Sequence, residues 1–196
     1  YRVNDYLTAA VASGGVGDSL REDSHPMSES WAVRAALQKA YGRALPSDEA
    51  IALLVSVAPI VEVGAGLGYW ASLILAAGGD ILATDDHSWH KDGGPYDFAR
   101  RHGAVLRMDA AVAAAMYPDR ILLMIWPPYN DPMAVNALRA YAGRRVAYVG
   151  EGDGGCTGDE DFHRLLADEW RAVEHVALPQ WWGLHDALWV YERRTA

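Results

Sequence analysis

Ile60-Val61-Glu62-Val63-Gly64-Ala65-Gly66-Leu67-Gly68 decides how this chain of 196 residues folds. Four residues, three of them apolar, read as a short buried strand. Three glycines at alternate positions then break it, and Tyr69 to Ala77 continues as an apolar helix. A strand that turns through glycine into a helix brings its backbone close to a ligand, because no Cβ intervenes. The helix start also offers free N–H groups to a negative group. The spacing G-x-G-x-G departs from the G-x-G-x-x-G of dinucleotide sites. A bare tight turn that favours close helix packing uses the same glycines, so the motif alone leaves both readings open.

Outward from this turn, strand and helix patterns alternate. Strands are expected at Asp80 to Thr84, Val105 to Met108, Ile121 to Ile125 and Arg145 to Val149, and the fourth is fully apolar, as a central parallel strand should be. Helices fall over Ala110 to Met116, Met133 to Ala142 and Asp159 to Glu169, and another ends over Ala99 to His102. Arg171 to Leu178 and Ala187 to Tyr191 are strands joined without a helix, which indicates an antiparallel hairpin at a sheet edge. Upstream, helices start at Ser28-Glu29-Ser30 and at Pro46-Ser47-Asp48-Glu49. The expected organisation is an N-terminal helical arm or lid over 1–45 and one globular α/β unit over 46–196. Its mostly parallel sheet has seven strands, with helices on both faces.

Asp85 ends the second strand about 20 residues beyond the glycine turn, where an acid can bind both ribose hydroxyls. Asp86 beside it leaves the register open. Asp109 closes the third strand, and all three places lie at carboxyl ends of successive strands, where open α/β sheets bind ligands. The glycine spacing together with Glu62 resembles the first motif of the Rossmann-like class I S-adenosyl-L-methionine (SAM)-dependent methyltransferases, over roughly 46–192. That resemblance implies SAM as cofactor, held by Glu62, Gly64, Ala65, Gly66 and Gly68. It also implies Asp109 facing the adenine amino group and the Ala110 N–H on the ring; His87 or Trp89 is read as covering the adenine, and Trp126 as a further cofactor contact.

Arg120 to Ala134 carries the acceptor question. After the fourth strand come Trp126-Pro127-Pro128-Tyr129, and Pro-Pro-Tyr resembles the catalytic loop of enzymes that methylate exocyclic amines of nucleic-acid bases. Those enzymes place Asn, Asp or Ser before the prolines, to accept a hydrogen bond from the target nitrogen. Trp126 is a donor only. Tyr129 can stack on a planar acceptor or bond through its hydroxyl, or simply fill core. Asn130 and Asp131 follow in a different direction. Net charge is −9, with 17 basic residues against 26 acidic ones, which disfavours phosphate-neutralising contact with nucleic acid.

Five glycines in Gly150 to Gly158 exclude core packing and suggest a mobile or ligand-hugging loop, with Glu151 as candidate general base; a solvated acidic loop that caps the next helix fits equally. His185, beside Trp181-Trp182, is a further acid/base candidate against a structural histidine. Cys156, the only cysteine, excludes an internal disulfide, fits a reducing, cytoplasmic compartment, and shows no pKa-lowering neighbourhood. His87 and His90 beside Asp85 and Asp86 invite a metal reading, but three or four convergent ligands are needed and none is assigned. No span of 18 apolar residues and no secretory signal is visible, although the chain starts at Tyr1 without Met. Eight Trp against two Phe suggest an aromatic-walled pocket.

The expected activity is methyl transfer from SAM to an oxygen or nitrogen of a small-molecule acceptor, with no metal, no membrane, and a homodimer left open. Base amino-methylation stands as the rival within enzymes. A non-catalytic SAM-binding module and a SAM-cleaving or cyclising enzyme stand outside it.

Overall fold

A computed structural model describes residues 4–16, 27–94 and 96–195, with the side chains of 27–31 excepted. Parts of the expected N-terminal arm, and the Trp31 side chain, therefore lie outside the described residues. The element order is α1 (Asp5–Ala12), α2 (Met27–Tyr41), α3 (Asp48–Ser56), β1 (Ile60–Val63), α4 (Tyr69–Ala76), β2 (Ile81–Asp85), β3 (Leu106–Arg107), α5 (Ala110–Met116), β4 (Ile121–Ile125), α6 (Met133–Ala140), β5 (Arg145–Gly150), α7 (Glu160–Glu169), β6 (Trp170–Ala177) and β7 (Ala187–Arg193).

These form one seven-stranded sheet in the order β3-β2-β1-β4-β5-β7-β6. β3 through β5 run parallel, while β7 is antiparallel to both β5 and β6. Side-chain alternation explains why the central strands are apolar throughout. Ile60 of β1 and Ile121 and Leu123 of β4 enter one core with α1, α3 and α4. Val61, Val63, Leu122 and Met124 enter a second core with α5, α6 and α7. A strand covered on both faces has no polar side to show. Glu62 shares the Ile60 face by the same period of two, which puts a carboxylate among apolar neighbours.

Helix starts follow local chemistry. The Ser47 hydroxyl accepts from the Ala50 N–H ahead of acidic Asp48 and Glu49, and Asp159 accepts from the Phe162 N–H ahead of Glu160 and Asp161. Ahead of residue 46, α1 is welded to the sheet domain. Tyr6 is fully buried; its N–H donates to the Tyr69 hydroxyl, and its own hydroxyl receives the indole N–H of Trp181 at 3.1 Å.

Two expectations differ from what is observed. In place of a helix ending at His102 there is only a 3-10 turn, Phe98–Arg100, because Gly93 and Gly94 interrupt the segment and the Asp97 carboxylate caps the turn at Ala99. The third strand shrinks to Leu106–Arg107, both exposed, as befits a short sheet edge.

Candidate active site

The strand order reverses between β1 and β4, and ligands of open α/β sheets bind at that crevice. A cavity of about 740 Å³ opens there, at the carboxyl ends of β1, β2 and β4 and the start of α5.

Its floor is the glycine turn. Gly64, Gly66 and Gly68 all have left-handed φ, of 66°, 53° and 70°. A Cβ on Gly64 would meet the Met133 methyl at 2.8 Å, so the turn packs tightly on α6 as well as facing the cavity. Gly64, Ala65 and Gly66 line the cavity; Gly68, under the Val105 side chain, starts α4.

Glu62 also lines the cavity, although it is 2% exposed, and its Oε2 has no hydrogen-bond partner among the described residues. Burial, with the charge of Asp85 adding to it, pushes this carboxyl up to about 8. A buried acid with an open oxygen at a cavity wall suits a cation that can restore its charge.

Asp85 clamps the turn. Its Oδ2 accepts from the Gly66 N–H at 3.0 Å and its Oδ1 from the His87 N–H at 2.8 Å. Each oxygen keeps a second lone pair for a hydroxyl donor. Burial outweighs these bonds and raises its pKa. Asp86 lines the cavity too; a hydrogen bond from the Ser88 side chain, with a second from the Ser88 N–H, holds its pKa low against burial. Asp109 caps α5 by accepting the Ala111 and Val112 N–H groups, both on Oδ1, and it lines the cavity with Ala110.

His87 is placed differently from the sequence reading. Its ring lies 3.8 Å from the ring of Phe98 and does not line the cavity; Trp89, His90 and Tyr96 form that wall. The left-handed φ of 63° at His87 turns the chain so that the following residues face inward.

Trp126 leaves β4 at φ 52°, lines the cavity, and donates its indole N–H to Asp186 Oδ1 at 2.8 Å. Asp186 is 1% exposed; burial, with Glu151 adding, pushes its carboxyl up to about 6. Pro128, Tyr129 and Asp131 continue the wall, and Tyr129 is 61% exposed at the mouth. The loop is braced from behind, since Pro127 accepts from the Gly158 N–H and the Asn130 N–H donates to the Gly158 carbonyl.

Glu151 and His185 do not line the cavity. Both oxygens of Glu151 are engaged by backbone, Oε2 by the Cys156 N–H at 2.8 Å and Oε1 by the His185 N–H at 3.0 Å. Burial alone would raise its pKa, but a hydrogen bond from the Cys156 thiol, together with these backbone bonds and His185, wins and holds it low. The His185 side chain is largely exposed, with Nδ1 3.6 Å from the same Oε1. The glycine-rich loop is thus tied down rather than ligand-hugging, and a carboxylate spent on bracing it is poorly placed as a base. Cys156 does line the cavity, with its thiol pushed up to about 12 by burial and by Glu151.

The sequence reading did not point to Arg34, Arg43 or Tyr96 as cavity groups, and it set Asp131, which also lines the cavity, in a different direction. Arg43 lies over Trp126, its Cζ 5.2 Å from the ring centroid, and its Nε donates to the Tyr96 hydroxyl. No local pattern marks an arginine between two helices as a cavity residue.

The sequence matches no protein-family profile and no curated protein. Among solved structures, the magnesium protoporphyrin IX methyltransferase of Synechocystis PCC 6803 with bound SAM superposes with a TM-score of 0.56 at 12% identity, over 97% of this chain and 95% of that one. The chain has the class I methyltransferase fold. The same enzyme with bound S-adenosylhomocysteine (SAH) gives 0.53 at 12% identity, over 97% of each chain. A SAM-dependent methyltransferase from Anabaena variabilis ATCC 29413 gives 0.49 at 10% identity, over 91% and 99%. Among the described residues, no helix is long and apolar enough to cross a membrane.

Proposed function

We propose that the chain is a SAM-dependent methyltransferase that acts on a small molecule. The observation that carries the reading is Glu62, a buried carboxylate with an open oxygen on the wall of a cavity floored by left-handed glycines. This donor set fits SAM group by group. Glu62 takes the ammonium of the amino-acid end, the Gly64-Ala65-Gly66 turn admits close backbone approach, Asp85 takes ribose hydroxyls, and Asp109 with Ala110 receives the adenine.

When bound, SAM supplies a methyl group activated on a sulfonium. The residues beyond β4 do the rest. Trp126, Pro128 and Tyr129 form a rigid wall that positions the acceptor and excludes water, and most of the rate comes from that positioning. Methyl transfer to an acceptor oxygen or nitrogen would leave SAH, a neutral thioether, and would require the acceptor to lose one proton. Asp131, which lines the same wall, is the group we assign to take it.

A cavity of about 740 Å³ is in the size range of small-ligand sites. The net charge of −9, and a Trp126 indole N–H already committed to Asp186, speak against a base as acceptor. The exposed Tyr129 behind two prolines is the one feature that favours it.

Calorimetry with SAM and SAH tests the cofactor. Binding of both is expected, and binding of neither would reject the reading. Titration with single-stranded and duplex DNA and with RNA at low salt tests the acceptor: no binding is expected, and salt-dependent binding would move the assignment to nucleic acid.

A further inference from the structure

Arg43 stands in the cavity outside the donor set assigned to SAM. It follows α2, and its backbone is fixed from two sides. The Tyr6 hydroxyl donates to the Gly42 carbonyl at 2.9 Å and lies 3.3 Å from that of Arg43, and the Trp70 indole N–H donates to the next carbonyl, that of Ala44, at 3.2 Å. From this anchored backbone the guanidinium extends over the Trp126 ring. Val63 pairs with Met124, so Trp126, two residues further on, leaves β4 level with the glycine turn. Tyr96, which receives the Arg43 Nε–H, stands 3.6 Å from where a Gly66 Cβ would be. Arg43 therefore sits above the turn whose other wall is Glu62.

Five carboxylates, Glu62, Asp85, Asp86, Asp109 and Asp131, line the cavity against Arg34 and Arg43, yet none of the five pairs with Arg43. Arg34 and Arg43 both line the cavity and repel each other, and the buried Asp186 is the acid that acts on Arg34. Among the described residues Arg43 makes no ion pair. Its neighbours are an indole face and a phenol, which orient a guanidinium without neutralising it. Asp131 lines the cavity too, but its Oδ1 accepts the Met133 N–H at the start of α6. One cation is left for an anion to answer.

We propose that Arg43 forms a carboxylate-binding subsite that grips the amino-acid end of the cofactor opposite Glu62. Resting on the SAM reading, the assignment pairs a zwitterion with a buried acid on one side and a planar cation on the other. It also makes the segment ahead of residue 46 part of the cofactor site. A guanidinium can meet a carboxylate with two parallel N–H bonds, which sets orientation as well as affinity. Held at both ends, the amino-acid portion cannot rotate, so the sulfonium between it and the ribose is fixed.

The test is calorimetry on the full chain, with wild type, Arg43→Ala and Arg43→Gln each titrated with SAH and with 5′-methylthioadenosine, which lacks the amino-acid end. Arg43→Gln retains a donor for Tyr96, so it controls for loss of that contact. Both variants are expected to bind SAH more weakly by about tenfold to a hundredfold, and methylthioadenosine as wild type does. SAH affinity unchanged in both variants would overturn the proposal, as would equal weakening for both ligands, which would make Arg43 a structural group. If wild type itself binds neither ligand, the SAM reading falls and takes this subsite with it.

Discussion

The indole of Trp126 and the carboxylate of Asp186 are joined across 2.8 Å, one at the end of β4 and the other just ahead of β7. That bond holds a tryptophan in a left-handed conformation at the cavity wall. Asp186→Ala leaves the indole N–H without its acceptor and is expected to cost about 2 kcal/mol of stability. It should also weaken SAH binding, because Trp126 can then leave the wall. Asp186→Asn keeps an acceptor and should retain most of the affinity.

The pH dependence of the same pair gives a second check. Asp186 titrates at about 6 in the folded state against 3.8 for a free carboxyl. A raised carboxyl binds its proton more tightly when folded, so its contribution is full below pH 3.8 and is lost as pH rises through about 6. The stability of wild type relative to Asp186→Asn should therefore fall across that window, measured by urea unfolding. A flat difference would mean that Arg34 keeps the acid ionised throughout.

Glu62 follows the same sign over a wider range. Its contribution is full below pH 4.5 and lost toward about 8. Ligand-free Glu62→Gln should be more stable than wild type at the upper end, on the order of 3 kcal/mol. It should nevertheless bind SAH at least tenfold more weakly, since the ammonium loses its counter-charge. Near neutral pH, SAH binding to wild type should release a proton from Glu62, seen as a calorimetric enthalpy that varies with the buffer. Glu62→Gln should lack that part of the variation.

Much of this site was legible in sequence because its parts are local. Strand, glycine turn and helix lie within Ile60 to Ala76, and Asp85 and Asp109 mark strand ends that periodicity locates. The antiparallel end was equally readable, since no helix separates β6 from β7. Arg43 and Asp186 were not legible, because each gains its role only when distant segments meet at Trp126. The bracing contacts of Glu151 were not legible for a related reason. Its glycine neighbours suggested a ligand loop, whereas they let the chain fold back so that two backbone N–H groups reach one carboxylate.

The glycine turn itself can be tested by adding one methyl group. Gly66→Ala has room, with Tyr96 at 3.6 Å, but it forces alanine to a φ of 53° at a cost of about 1–2 kcal/mol. The Gly66 N–H would then shift away from Asp85. SAH affinity should fall with stability. Gly78→Ala is a control at a φ of 90° with open space around it, and should cost stability without touching affinity.

Asp131 and Glu151 should separate proton transfer from loop support. Asp131→Asn keeps an oxygen for the Met133 N–H but cannot accept a proton from the acceptor. Its turnover should drop by about a hundredfold with SAH affinity unchanged. Glu151→Gln should behave oppositely. Its folded pKa is depressed, so its contribution is present above pH 4.5 and lost as pH falls. Replacing it should destabilise the chain by about 1–2 kcal/mol at neutral pH and remove that acid-side loss, while turnover per folded molecule stays near wild type. If Glu151→Gln folds normally and loses turnover while Asp131→Asn does not, the proton passes through the glycine-rich loop, and Asp131 only starts α6.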